Sequence, residues 1–262
     1  MTQARHVPAW RAAVSLFTIV PCGGPATIDR AMAGRMLLWF PLLGGLLGVV
    51  AFGGMLAVEA TGHGVARRLL AATVALAILG VITGGLHLDG LADTADGLGS
   101  RKPKDQALDI MRRSDTGPMG VAAMIFVLII QVFALAALPA GWVSALALAT
   151  ATTTGRVIVL LAAGLPPARD DGLGALIAGA ATRRTRLTAS LAPLAAILAV
   201  GVAVGGPALD WRTVASICAG LGAGALLART AELRLGGTTG DVFGALIEVT
   251  TATALLAFAL LY

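Results

Sequence analysis

Charge is scarce in this chain of 262 residues: only 13% are Asp, Glu, Lys or Arg, against about 25% in an ordinary soluble domain. Aromatic residues are scarcer still at 5%, with a single tyrosine. Stacking platforms of the kind that grip single-stranded nucleic acid are therefore missing. The two cysteines, Cys22 and Cys218, lie far apart and lack metal-ligand spacing, so neither a disulfide nor a zinc site is expected. What fills the chain is apolar: 57% by the AVILMFWYC count, with a mean hydropathy of +0.88. A soluble core of this length could not hide so much apolar surface. Lipid must be the solvent for most of it, which argues against a soluble enzyme, a disordered chain and a nucleic-acid-binding module.

At about 20 apolar residues per crossing, the hydropathy gives roughly seven spans, near 36–58, 68–88, 119–139, 142–164, 187–205, 213–230 and 242–261. Lipid offers a backbone no partners, so all must be helices. The expected fold is an all-α, polytopic transmembrane helical bundle forming one domain over 1–262, with no internal repeat. Glycines within the spans, among them Gly44, Gly45, Gly48, Gly220, Gly222 and Gly224, suit close helix contact.

Polar stretches at 89–118, 165–186 and 229–241 fall on one side of alternating crossings. They carry Arg101, Lys102, Lys104, Arg112, Arg113, Arg169, Arg183, Arg184, Arg186, Arg229 and Arg234, and the N-terminus adds Arg5, Arg11, Arg30 and Arg35. The opposite side holds only Arg67, Arg68 and Arg212. Basic loops stay inside, which places the N-terminus in the cytoplasm, Tyr262 outside, and the protein in the cytoplasmic (inner) membrane. The net charge of +5 reads the same way, as loops facing anionic lipid rather than nucleic acid. Residues 12–20 have the outline of a signal sequence, but Pro21-Cys22-Gly23-Gly24 follows instead of a cleavage site. This segment is expected at the interface or partway into the membrane. Homo-oligomerisation is left open.

The chemistry concentrates in Gly84-Gly85-Leu86-His87-Leu88-Asp89-Gly90-Leu91-Ala92-Asp93-Thr94-Ala95-Asp96-Gly97. Asp89, Asp93 and Asp96 stand at i, i+4 and i+7, within roughly 60° of arc on a helix. Three such carboxylates repel unless a cation sits between them. Hard oxygen ligands at a cytoplasmic helix end suit Mg²⁺ or Mn²⁺ bound together with substrate phosphates. His87 is a candidate ligand, proton shuttle or packed polar group. A second acidic patch reads Gly236-Gly237-Thr238-Thr239-Gly240-Asp241-Val242-Phe243-Gly244-Ala245-Leu246-Ile247-Glu248. Asp241 and Glu248 share a helical face. Glu248 lies about two turns into the last span, where an ionisable group is by default a functional candidate. The glycine-rich turn before Asp241 is a plausible phosphate cradle. Arg156, inside a span, and Arg169 carry guanidinium groups suited to bidentate phosphate binding. Together these residues describe divalent-metal phosphotransfer at the membrane face.

The same residues resemble the cobalamin synthase family, the adenosylcobinamide-GDP ribazoletransferases of vitamin B12 assembly. The resemblance rests on residues 83–97, then Ile110-Met111-Arg112, Gly117, Gly120, Gly155-Arg156, Ala168-Arg169-Asp170-Asp171-Gly172-Leu173-Gly174, and Gly240-Asp241 with Gly244-Ala245 and Glu248. Phe40-Pro41-Leu42 followed by Gly44 fits the start of the family's first span. Two elements depart: Arg113-Ser114-Asp115 exchanges the family's charges, and Thr18-Ile19-Val20-Pro21 lacks its arginine. The resemblance implies Mg²⁺-dependent attack of a ribose hydroxyl of α-ribazole, or its 5′-phosphate, on the phosphate joined to the cobinamide arm of adenosylcobinamide-GDP, with release of GMP. It implies that Asp89, Asp93, Asp96 and Asp241 hold metal. Asp241 and Glu248 would form a second metal shell or supply the base. His87 joins this catalytic set, and Arg156, Arg169, Gly90, Gly97, Thr239 and Gly240 form the substrate-binding set.

Two rivals remain at this level. CDP-alcohol phosphotransferases also cluster aspartates at a membrane-helix end, but Asp89-Gly90-Leu91-Ala92-Asp93 breaks their order and no arginine follows Ala92. A cation transporter would place acids at the midplane, between broken helices in repeats.

Overall fold

The computed structural model describes residues 7–205 and 207–262, the side chains of 207–210 excepted; Arg5 lies outside the described residues. Its helices, in chain order, are α1 (Ala9–Phe17), α2 (Arg30–Leu37), α3 (Phe40–Glu59), α4 (Val65–Ile82), α5 (Leu86–Gly99), α6 (Lys104–Ile110), α7 (Pro118–Ala137), α8 (Trp142–Ala162), α9 (Gly172–Ile177), α10 (Arg183–Gly205), α11 (Pro207–Leu235) and α12 (Gly240–Leu261). Seven of them (α3, α4, α7, α8, α10, α11 and α12) are long and apolar enough to cross a membrane. The all-α bundle expected from hydropathy is the fold. α1 is nine residues long, too short to span, and leaves Trp10, Leu16 and the following Ile19 exposed.

The second span ends earlier than hydropathy indicates. α4 stops at Ile82, and Gly84 (φ +61°) and Gly85 (φ +72°) turn the chain through left-handed backbone that a side chain would strain. His87 and Asp89 consequently ride on a separate helix, α5, free to take its own direction.

α8 is the axis of the bundle, buried from Val143 to Ala162 almost without interruption. Two of its threonine hydroxyls are satisfied by bonding back along their own helix: Thr152 Oγ1 donates to Leu148 O at 2.8 Å and Thr154 Oγ1 to Thr150 O at 2.6 Å. Glycines set the approach of the neighbours. A Cβ on Gly44 would lie 2.6 Å from Thr152 O, on Gly155 3.0 Å from Ile247 O, and on Gly220 2.9 Å from Thr250 O. These three contacts join α3 to α8, α8 to α12 and α12 to α11. Gly222, by contrast, faces open space. α10 is peripheral, burying only Ser190 and Gly201.

On the side opposite the acidic segments, Arg68 accounts for a basic residue where charge is otherwise sparse. Its guanidinium pairs with Glu59, donates to Leu138 O and to Leu135 O (3.2 Å), and reaches Ser144 Oγ at 3.1 Å. It ties the C-terminal ends of α3 and α7 to the start of α8.

Candidate functional site

The site begins with the crossing of α5 and α12. Gly90 meets the backbone of Asp241 so closely that a Cβ there would stand 2.6 Å from Asp241 O and 3.0 Å from its Cα. One turn on, Gly244 answers it: a Cβ would lie 3.2 Å from Gly90 Cα. Two small residues thus bring acids more than 140 positions apart in sequence to one place. Thr239 caps α12, accepting from Val242 N at 3.2 Å and donating to Asp241 Oδ2 at 3.2 Å.

A loop clamps the arginine against the same turn. Ala168 N donates to Thr238 O (2.9 Å) and Thr238 N to Pro166 O (3.0 Å). Gly174 at the start of α9 packs on the backbone of Thr238 and Thr239. Arg169 therefore projects beside α12, its Nη1 3.9 Å from Asp241 Oδ2 and its Nη2 donating to Leu108 O at 2.6 Å. Among the described residues, Arg169 Nε has no hydrogen-bond partner. Burial lowers the pKa of this guanidinium, and Asp241 opposes the shift.

These elements enclose a cavity of about 340 Å³. Its charged mouth is formed by Asp89, Arg112, Arg169, Asp171 and Asp241, with Thr239 and Gly240 beside them. Arg112 and Asp171 pair across it at 2.9 Å, both well exposed. Farther in, the walls turn apolar: Phe17, Phe40, Val159, Ile177, Phe243 and Ile247. Asp93 does not line the cavity but stands close enough to feel it. Burial first, and then the charges of Asp89, Asp241 and Asp96, push its carboxyl up to about 6.

The other candidates are placed elsewhere. Asp96 is turned toward α7, whose first turn it caps: Gly117 N donates to Oδ2 at 2.6 Å and Gly120 N to Oδ1 at 2.9 Å. Gly97 lies against Met111 and Ala107, where it seats α6 rather than the cavity. Arg156 and Glu248 belong to a buried polar cluster deeper in the bundle, around a small cavity of about 20 Å³. There Gln131 Nε2 donates to Glu248 Oε2 at 2.9 Å, and Arg156 Nη1 donates to Thr152 O at 3.3 Å. His87 lines both cavities. Arg156 Nη2 is 3.4 Å from His87 Nδ1. An arginine only donates, so Nδ1 accepts and the imidazole proton sits on Nε2.

Among the described residues, no three His, Cys, Asp or Glu side chains are gathered into a ready-made metal cage. The donor set is nevertheless suited to a small hard cation. It is made of carboxylates, burial together with the charges of Asp89, Asp241 and Asp96 holds Asp93 near 6, and Arg169 stands 3.9 Å from Asp241. Mg²⁺ is usually held in this way, by one or two carboxylates with the rest of its shell from water and substrate phosphates. Sequence reading passed over Arg112 and Asp171 as site residues although both lie in the segments that carry the family resemblance. Phe40 lies in another such segment without having been named a site residue, and no sequence signal separates Phe17 from ordinary core.

A family model described as cobalamin-5-phosphate synthase matches residues 9–259. The chain is 40% identical over 260 residues to an adenosylcobinamide-GDP ribazoletransferase of Frankia casuarinae, covering 95% of this chain and 94% of that protein. It is 37% identical over 236 residues to one of Bradyrhizobium diazoefficiens (90% and 86% covered). It is 39% identical over 242 residues to one of Citrobacter koseri (91% and 93% covered). No solved structure matches.

Proposed function

The chain belongs to the cobalamin-5-phosphate synthase family, and from that premise we propose that it transfers the adenosylcobinamide phosphoryl group of adenosylcobinamide-GDP to a ribose hydroxyl of α-ribazole or α-ribazole 5′-phosphate. The products are GMP and adenosylcobalamin or its 5′-phosphate. The observation that carries the reading is the α5–α12 crossing, which gathers Asp89 and Asp241 with Arg169 at the mouth of one cavity. Family membership displaces the phospholipid-enzyme and transporter alternatives.

Asp89, Asp93 and Asp241 would hold Mg²⁺ together with phosphate oxygens of the substrate; Asp96, engaged by α7, is a scaffold residue in this scheme. Bound there, the ion would neutralise charge on the diphosphate and on the leaving GMP. Arg169 grips phosphate oxygens from its clamp on Leu108 O. Arg112, now paired with Asp171, exchanges that carboxylate for a phosphate when the donor arrives. A carboxylate at the mouth, Asp89 or Asp241, takes the proton of the ribose hydroxyl as its oxygen bonds to phosphorus. The bond from phosphorus to the GMP oxygen breaks in the same displacement. The N-terminus and the acidic segments are assigned to the cytoplasmic side of the inner membrane, where nucleotide substrates are made. This rests on the arginine-rich loops that flank the site.

The test is GMP release by purified protein in detergent or nanodiscs, given adenosylcobinamide-GDP, α-ribazole and Mg²⁺. GMP appearing with both substrates, and stopping with EDTA, supports the reading. No release with both substrates and Mg²⁺ present overturns it.

A further inference from the structure

Half of the cavity has no part in the phosphate chemistry. Beyond the charged mouth, its walls are Phe17 from the end of α1, Phe40 from the first turn of α3, Val159, Ile177, Phe243 and Ile247. The Phe17 and Phe40 rings lie 4.3 Å apart between centroids, tilted by 37°, and Phe40 meets His87 edge-on at 6.4 Å. Ile247 is six residues past Asp241 on α12, about 9 Å farther along the axis at 1.5 Å per residue. A molecule whose reacting hydroxyl is at Asp89 and Asp241 would thus extend its far end into an aromatic and aliphatic chamber.

We propose that this inner chamber is the subsite for the benzimidazole base of the α-ribazole acceptor, with Phe17 and Phe40 as its aromatic wall and the determinants of base selectivity. The inference rests on the function proposed above and deepens it. Size rules out the corrinoid: about 340 Å³ is at the small end of the ~300–1,000 Å³ range of ligand pockets, room for a nucleoside and a phosphate but not for a corrin ring with its side chains. The corrin must then lie outside the mouth, against protein or lipid. Polarity rules out guanine. Its edge carries several donors and acceptors, and each would be buried unpaired among these walls. His87 beside them is held through Nδ1 by Arg156 and leaves only Nε2 without a hydrogen-bond partner among the described residues, one donor against the several polar groups of guanine. A dimethylbenzimidazole is flat and apolar and offers a single free ring nitrogen, so it loses least on entering.

Steady-state GMP release measures the claim, varying α-ribazole and adenosylcobinamide-GDP separately for wild type, Phe40→Leu, Phe17→Leu and Phe40→Ala. Equilibrium binding of α-ribazole alone is followed by its benzimidazole fluorescence. Phe40→Ala is expected to raise the KM and Kd for α-ribazole about tenfold, leaving the KM for adenosylcobinamide-GDP within about twofold. The leucine variants retain an apolar wall without the ring and fall between wild type and Phe40→Ala. They also carry the test if the alanine variant does not fold. In competition, an α-linked purine nucleoside should gain on α-ribazole in the variants. If the KM for adenosylcobinamide-GDP rises while α-ribazole binding is unchanged, or if no variant alters either, the base subsite is wrong and the enzymatic reading stands. If wild type makes no GMP from α-ribazole, the reading of function fails instead.

Discussion

Replacing Gly90 with alanine tests how the site is assembled without touching a charged group. The added Cβ would stand 2.6 Å from Asp241 O and 3.0 Å from Asp241 Cα. The first distance is about 0.8 Å short of the 3.4 Å at which ordinary contact begins. The obstacle is backbone in the first turn of α12, so no side chain can swing aside, and α5 and α12 must part. Overpacking of this kind costs about 1–3 kcal/mol of stability. A displacement near 1 Å between reacting groups costs on the order of 100-fold in rate. The expected variant is folded, modestly less stable, and about 10- to 100-fold slower in GMP release. Gly53→Ala is the control, because a Cβ there meets nothing within 4 Å; its activity should equal wild type. Thermal unfolding in nanodiscs and initial rates at saturating substrates give both numbers. Full activity in Gly90→Ala would refute the claim that this crossing positions the carboxylates.

Asp96→Asn keeps an acceptor for only one of the two α7 N–H groups, so it should lose some stability yet much less activity than Asp89→Asn, while Asp96→Ala should lower stability by about 1 kcal/mol through loss of the cap; unfolding curves and rates of the three variants decide this. Arg68→Ala should lower thermal stability by removing the tie among Glu59, Leu135, Leu138 and Ser144, yet leave both KM values unchanged, since it lies on the opposite side of the bundle. Asp93, held near 6, carries its charge above that pH and loses it below, so the apparent Mg²⁺ affinity should fall as pH drops through about 6; in Asp93→Asn that component of the pH profile should vanish.

Hydropathy carried the architecture, because a bilayer leaves a long apolar run only one conformation. At the end of α4 the misplacement came from counting His87 and its neighbours as span when Gly84 and Gly85 had already turned the chain; α11 also runs beyond the expected 213–230, from Pro207 to Leu235. The site was legible in part. The spacing of Asp89 and Asp93 and the run around Asp241 named residues that the fold brings together. Asp96 shares their helical face, but its partner is the start of α7, a tertiary contact that no local pattern displays. Glu248 shares a face with Asp241, but seven residues at 1.5 Å each place it about 10 Å deeper. There it meets Gln131 and the Arg156 cluster instead of the cavity. Periodicity gives direction around a helix and says little about which neighbour waits at a given depth. Phe17 was invisible for the opposite reason: an aromatic residue in an apolar segment looks like core, and only the cavity it faces distinguishes it; Phe40 stood in an element that carries the resemblance, but its place in the cavity is likewise a tertiary fact.

The most direct measurement is a double-mutant cycle on GMP release with Asp89→Asn, Asp241→Asn and the pair. Groups that act as one centre fail together, so the double variant should be no slower than the worse single one. Losses that multiply in full would mean that the two carboxylates act independently, and that α5 and α12 do not form one site.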